Sequence, residues 1–149
     1  MTPIPVVIDT DPGVDDAVAL WYALTSPVFE VLALTAVHGN VSVTLAAENA
    51  LRIVHAARRP DVPVAVGEAG PIGPAPVYGK PACIHGADGL GETHLPVAPE
   101  QPVAEPATRL LRRVVDRRPG KVTVVAIGPL STIGRVIAED PSWPGRGCS

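Results

Sequence analysis

The sequence predicts an α/β fold: an open, mostly parallel, Rossmann-like sheet with flanking helices. Three observations carry this. Short apolar runs alternate four times with amphipathic, helix-like segments. The runs are apolar at consecutive positions, as strands buried on both faces are. Every cluster of polar residues follows a strand, where open parallel sheets bind their ligands.

Residues 6–8 form the first predicted strand. The turn Pro12-Gly13 follows, and a helix carries Ala17, Val18, Leu20, Trp21 and Leu24 until Ser26-Pro27 stops it. Residues 31–37 are the second strand, ending at His38-Gly39-Asn40. Ser42 is a suitable N-cap for a helix running to Pro60. Residues 64–66 are a third strand. Residues 67–103 are rich in Gly and Pro and too long for a simple connection, so they read as a lid or binding loop. A third helix is expected over 104–118, a fourth strand over 122–127, and a fourth helix through Leu130, Ile133, Val136 and Ile137. Residues 141–149 suggest no regular element.

A chain of 149 residues suits one domain, 1–149, with a single proper core. Apolar residues make up 46% and aromatics only 3%, so that core must be mostly Val, Leu, Ile and Ala. Proline occurs 18 times, more than twice the average usage of about 5%. A net charge of −3 without a basic stripe argues against nucleic acid as partner. The pairs Arg58-Arg59, Arg112-Arg113 and Arg117-Arg118 are expected at helix ends, solvated and compensating helix dipoles. Cys83 and Cys148 match no metal or redox spacing and read as free thiols. The start lacks a secretory pattern and no apolar run would span a bilayer, so no membrane partner and a cytoplasmic setting are expected.

The stretch Asp9-Thr10-Asp11-Pro12-Gly13-Val14-Asp15-Asp16-Ala17 places four carboxylates on a strand, turn and helix start. Each Asp alone could be a strand-end or first-turn residue. Four together repel, and a hard cation such as Ca²⁺ or Mg²⁺ would offset that repulsion. Haloacid-dehalogenase-like phosphatases also carry Asp-x-Asp after a first strand, usually with Thr or Val two residues on. Here that position is Gly13, and the added Asp pair would repel a phosphate. A neutral polyhydroxyl ligand suits the cluster better.

The Asp9-to-Ala17 stretch resembles the N-terminal signature of the inosine/uridine-preferring nucleoside hydrolase family. His38-Gly39-Asn40, Ile84-His85-Gly86-Ala87-Asp88-Gly89-Leu90-Gly91 and Ala126-Ile127-Gly128-Pro129-Leu130-Ser131 extend the resemblance over about residues 4 to 140, in the family's order. It implies a calcium-dependent N-ribohydrolase that cleaves the bond between nucleobase and ribose. Asp11 and Asp16 would ligate the metal, with Asp11 also the general base toward water. Ile127 would offer its main-chain carbonyl to the metal. Asp15 and Asn40 would bind the ribose, His85 would close over the substrate, and Asp9 would support the metal site from behind. The family pattern also implies a homo-oligomer. His38, His55 and His94 receive no role. The physics agrees: clustered carboxylates stabilise an oxocarbenium-like transition state.

Family chains continue well beyond this length, and the further portion supplies Asn and Glu to the ribose, a last Asp to calcium and commonly a His near the leaving base. Thr132 stands where the family usually has Asn. The expectation is a fold incomplete relative to the family, with the catalytic cluster present and hydrolysis impaired by truncation. The alternative is a non-catalytic fragment or binding module that keeps a weakened calcium and ribose site.

Overall fold

Alternation along the first strand sorts the molecule into layers. The computed structural model describes residues 2–74 and 82–147. Strand β1 (Ile4–Thr10) is central, flanked by β2 (Phe29–Ala36) and β4 (Thr123–Ala126), with β3 (Val64–Val66) outside β2. The order is β3-β2-β1-β4 and every pairing is parallel. This is the predicted open, Rossmann-like sheet.

Val6 and Ile8 point to one face, where they meet Leu20 and Leu24 of α1 (Val14–Thr25) and Ala50, Ile53 and Val54 of α2 (Val43–Ala56). Val7 points to the other, toward Leu110, Leu111, Val114 and Val115 of α4 (Ala107–Arg117) and Val136 of α5 (Ser131–Glu139). The core is built of Val, Leu, Ile and Ala, as the shortage of aromatics requires. Helix α3 (Ala82–His85) is a single turn within the long loop.

Local chemistry sets the boundaries. Gly13 precedes α1 in extended conformation, and the Asp16 carboxylate turns back to accept its N–H at 3.2 Å, satisfying a helix-start donor with a negative charge. Ser42 caps α2 by accepting from Leu45 N at 3.3 Å. Helix α4 begins after Pro106 rather than at 104, because the extended Pro106 occupies its N-cap. Strands β1 and β2 each begin two residues before their predicted starts, and the Ile4 N–H donates to the Val28 carbonyl just ahead of β2. Among the described residues, no helix is long and apolar enough to cross a membrane.

Two expectations are corrected. Arg112 and Arg113 lie inside α4, not at its end, and they are paired: Arg112 with Glu139 at 3.0 Å, Arg113 with Glu105 at 2.7 Å. Arg59 and Arg118 likewise pair with Asp61 and Glu30. The segment after α5 is also structured. Residues Trp143–Arg146 form a 3₁₀ turn, and Trp143 is buried among Val7, Val115, Val122 and Val136. The Gly79-Lys80-Pro81 part of the loop and the free-thiol expectation for Cys83 and Cys148 lie outside what the structure describes. Replacing Trp143 with Ala is expected to destabilise the fold by about 3–5 kcal/mol, read by urea denaturation. A loss under about 1 kcal/mol would show that the turn is not part of the core.

Candidate functional site

The same alternation aims the acidic residues. Asp9 follows Val7 to the α4 face, where the Thr35 hydroxyl from β2 donates to its Oδ1 at 2.5 Å. Thr10 follows Ile8 to the α1 face, and its hydroxyl donates to Asp16 Oδ1 at 2.8 Å. Asp11 leaves the sheet at the carboxyl end of β1, and the loop after β2 wraps it. The Asn40 main-chain N–H donates to Asp11 Oδ2 at 2.8 Å. The Asn40 side-chain amide donates to the Asp11 carbonyl at 3.1 Å and to Asp16 Oδ2 at 3.3 Å. One asparagine therefore holds two acidic residues in register.

Glycines permit this closeness. A Cβ on Gly39 would run into the Asp11 carboxylate, and one on Gly128 would lie 2.8 Å from Asp11 Oδ1. The Ile127 and Gly128 N–H groups donate to the Asp9 carbonyl at 2.9 and 3.3 Å. Among the described residues, the Ile127 carbonyl accepts no hydrogen bond.

Burial and mutual repulsion shape the electrostatics. Desolvation pushes the Asp9 carboxyl up to about 7, against the Thr35 hydrogen bond that lowers it, and the Asp11 charge adds to the rise. Desolvation likewise raises Asp11 to about 6, opposed by the Asn40 N–H and reinforced by the charges of Asp16 and Asp15. Asp9 Oδ2 is buried with no hydrogen-bond partner among the described residues.

Asp15 and His85 meet at the rim. The Asp15 side chain is 83% exposed, with its Oδ1 3.8 Å from His85 Nδ1. His85 Nδ1 also accepts the Val14 N–H at 3.3 Å, which ties the long loop to the start of α1. The structure thus gathers Asp9, Asp11, Asp16, Asn40 and Ile127 at the carboxyl ends of β1, β2 and β4, with Asp15 and His85 beside them.

Chain-wide comparison decides the family. Residues 6–147 match the family model of the inosine-uridine preferring nucleoside hydrolases. The chain belongs to this nucleoside hydrolase family. A probable uridine nucleosidase of Oryza sativa subsp. japonica is 37% identical over 143 residues, covering 94% of this chain and 43% of that protein. A non-specific ribonucleoside hydrolase of Escherichia coli is 38% identical over 138 residues, covering 93% of this chain and 44% of its own length. A plant nucleoside hydrolase of known structure superposes with a TM-score of 0.89 at 37% identity, covering 97% of this chain and 46% of that one. The chain therefore spans less than half the length of the nucleoside hydrolases it matches.

The carboxylate cluster has the donor chemistry for a hard divalent cation. Asp11 Oδ1 accepts no hydrogen bond among the described residues, the Ile127 carbonyl is likewise free, and burial, with the charges of Asp16 and Asp15 adding to it, raises Asp11. A second group was not anticipated from sequence: Asp88, Glu92 and His94 offer ligand atoms within 4.8 Å of one another. One oxygen of each carboxylate is already engaged. Asp88 Oδ1 accepts from Leu90 and Glu92 N–H, and Glu92 Oε1 accepts from Ala87 N–H. An imidazole is also a poor partner for calcium or magnesium. These residues close a turn that pins the long loop. The Asn49 amide donates to the Asp88 carbonyl at 2.8 Å, and Leu90 is buried in the core. Thr10 and Thr35, which fix the Asp16 and Asp9 carboxylates, were also missed; the only sequence signal was a Thr between two Asp residues.

A pH dependence follows. Both raised carboxyls lie above the unfolded value of about 3.9, so the folded state holds more protons between about pH 4 and 7. Their stabilising contribution is complete below about pH 4 and is lost as pH rises through about 6 and 7. The metal-free melting temperature is expected to fall from about pH 5 to about pH 8, read by calorimetry. A divalent cation held by these carboxylates would raise it more at the higher pH than at the lower, because protons and cation would compete for the same oxygens. A calcium effect equal at both pH values would detach the cation from these carboxylates.

Proposed function

We propose that this chain carries the catalytic carboxylate half of a calcium-dependent N-ribohydrolase, which cleaves nucleosides to base and ribose. The observation that supports it most is the double hold of Asn40 on Asp11 and Asp16 at the carboxyl edge of the sheet. Asp11, Asp16 and the Ile127 carbonyl would hold the ion. Calcium, when bound, supplies Lewis acidity that makes water easier to deprotonate near neutral pH.

The protein's own residues carry the remaining roles. Asp11 acts as general base, and a carboxyl raised to about 6 suits proton abstraction near neutrality. Asp15, exposed at the rim, accepts hydrogen bonds from ribose hydroxyls, and Asn40 orders the ribose from the facing loop. His85 borders the sugar from the long loop. Asp9 sits behind Asp11 and holds the loop after β4 through its carbonyl. The summed negative charge stabilises the oxocarbenium-like transition state and disfavours a phosphorylated substrate.

Three protein oxygens fill only part of a calcium shell of about six to eight ligands. The others come from water, from substrate hydroxyls and from chain comparable to the remaining portion of the relatives. Hydrolysis by residues 1–149 alone is therefore slow, because the ribose is anchored from one side. The limited coverage of the relatives favours a second reading, a single nucleoside hydrolase-like domain that binds calcium and ribose without turnover. Self-association belongs to the same proposal. It is supported by the apolar stripe on α1, where Val18 is 68% and Tyr22 60% exposed. A cytoplasmic setting is retained from the cysteine spacing.

Base release from uridine and inosine, with and without a calcium chelator, tests the reading. Chelator-sensitive release is expected, and Asp11→Asn should lower it by about 10²-fold or more. Calcium binding without base release would favour the second reading. Turnover of a phosphomonoester in place of nucleosides would overturn both.

A further inference from the structure

The loop after β4 has a support that none of these roles uses. Ser131 opens α5 and is buried, and its Oγ meets His38 Nε2 at 2.9 Å. The next residue, the fully buried Thr132, accepts the Glu68 N–H on its Oγ1 at 3.3 Å. The His38 N–H donates to the Glu68 carbonyl at 3.0 Å, and the Glu68 carboxylate pairs with Arg135 of α5 at 3.2 Å. A Cβ on Gly67 would come within 2.5 Å of Thr132 Oγ1, so only glycine lets these segments close together. The exits of β2 and β3 and the start of α5 are stitched at one point. Thr132 is part of the stitch.

This junction lies across the sheet from β4, because β3 and β4 are the two outer strands. Residues 127–131 must therefore cross above the ends of β1 and β2 to reach it. Gly128 makes the crossing between Val37 and Asp11, where a Cβ would lie 2.7 Å from Val37 Cγ1 and 2.8 Å from Asp11 Oδ1. The inner end of the crossing is held by the two hydrogen bonds to the Asp9 carbonyl. The outer end is held by His38, Glu68 and Thr132.

We infer that His38 is a positioning residue: through Ser131 it fixes the 127–131 crossing over Asp11 and so keeps the Ile127 carbonyl in place beside the carboxylates. The consequence for calcium rests on the function proposed above; the hold on the crossing does not.

Amide hydrogen exchange of the metal-free protein, followed residue by residue by NMR, tests the hold. His38→Ala and Ser131→Ala should each speed exchange at Ile127 and Gly128 by roughly three- to tenfold, the worth of one hydrogen bond. Amides of α1 and α2 should not change, and the double variant should be no faster than either single. His38→Gln, whose amide nitrogen reaches toward the same hydroxyl, should restore the slow rate. Unchanged exchange at Ile127 and Gly128 in His38→Ala, or an equal rise along the whole chain, overturns the inference. Calcium titration by calorimetry then tests the consequence, with affinity expected to weaken by a similar factor in both single variants. A wild-type protein that binds no calcium would fail the proposed function, and hydrogen exchange alone would then decide the role of His38. Unaltered calcium affinity in His38→Ala would overturn its influence on the carbonyl.

Discussion

Repulsion among carboxylates at the end of β1 is the constraint on which the rest of the structure depends. Asp9, Asp11 and Asp16 are all buried, and no lysine or arginine is paired with any of them in the described residues. Buried charge without a partner normally takes up a proton or acquires a counter-ion. Here the protein supplies neutral donors instead: two threonine hydroxyls, the Asn40 amides and the Gly13 N–H. Those donors orient the oxygens without neutralising them. The cluster is left poised between protonation and the acquisition of a counter-ion.

Parallel topology makes the arrangement possible. Each strand delivers its exit loop to the same edge, so residues far apart in sequence approach without any of them leaving regular structure by more than a few positions. Glycines at 39 and 128 then let two of these loops touch the Asp11 carboxylate from opposite sides. Side-chain chemistry defines what the site can bind, but main-chain contact defines its dimensions.

Much of this was legible in the residues. Apolar runs located all four strands, Ser42 and the Ser26-Pro27 stop marked helix ends, and the spacing of the Asp residues located the cluster. What could not be read was set by tertiary register. Thr35 becomes a partner of Asp9 only because the two strands pair in that register. Arg112 and Arg113 looked like end-of-helix charges until the packing of α5 brought Glu139 alongside. Trp143 sits among Pro and Gly residues that suppress any helical pattern, and its burial comes from packing against α4 and α5 in the cluster with Val7, Val115, Val122 and Val136. The junction of His38, Glu68 and Ser131 joins three loops and leaves no periodic trace.

The strand order carries a consequence for how the protein is made. Strand β1 is synthesised first, yet it lies inside the sheet and needs β4, more than a hundred residues later, on one side. Pairing at such separation is slow, because a long loop must close before any contact rewards it. On the ribosome, β1, β2 and β3 can associate as soon as they emerge, while the Val7 face waits for α4 and β4. The acidic cluster therefore stays hydrated until Gly128 arrives over Asp11. The first part of the site to be translated is the last to be enclosed, which spares a half-built chain from burying charge it cannot yet orient.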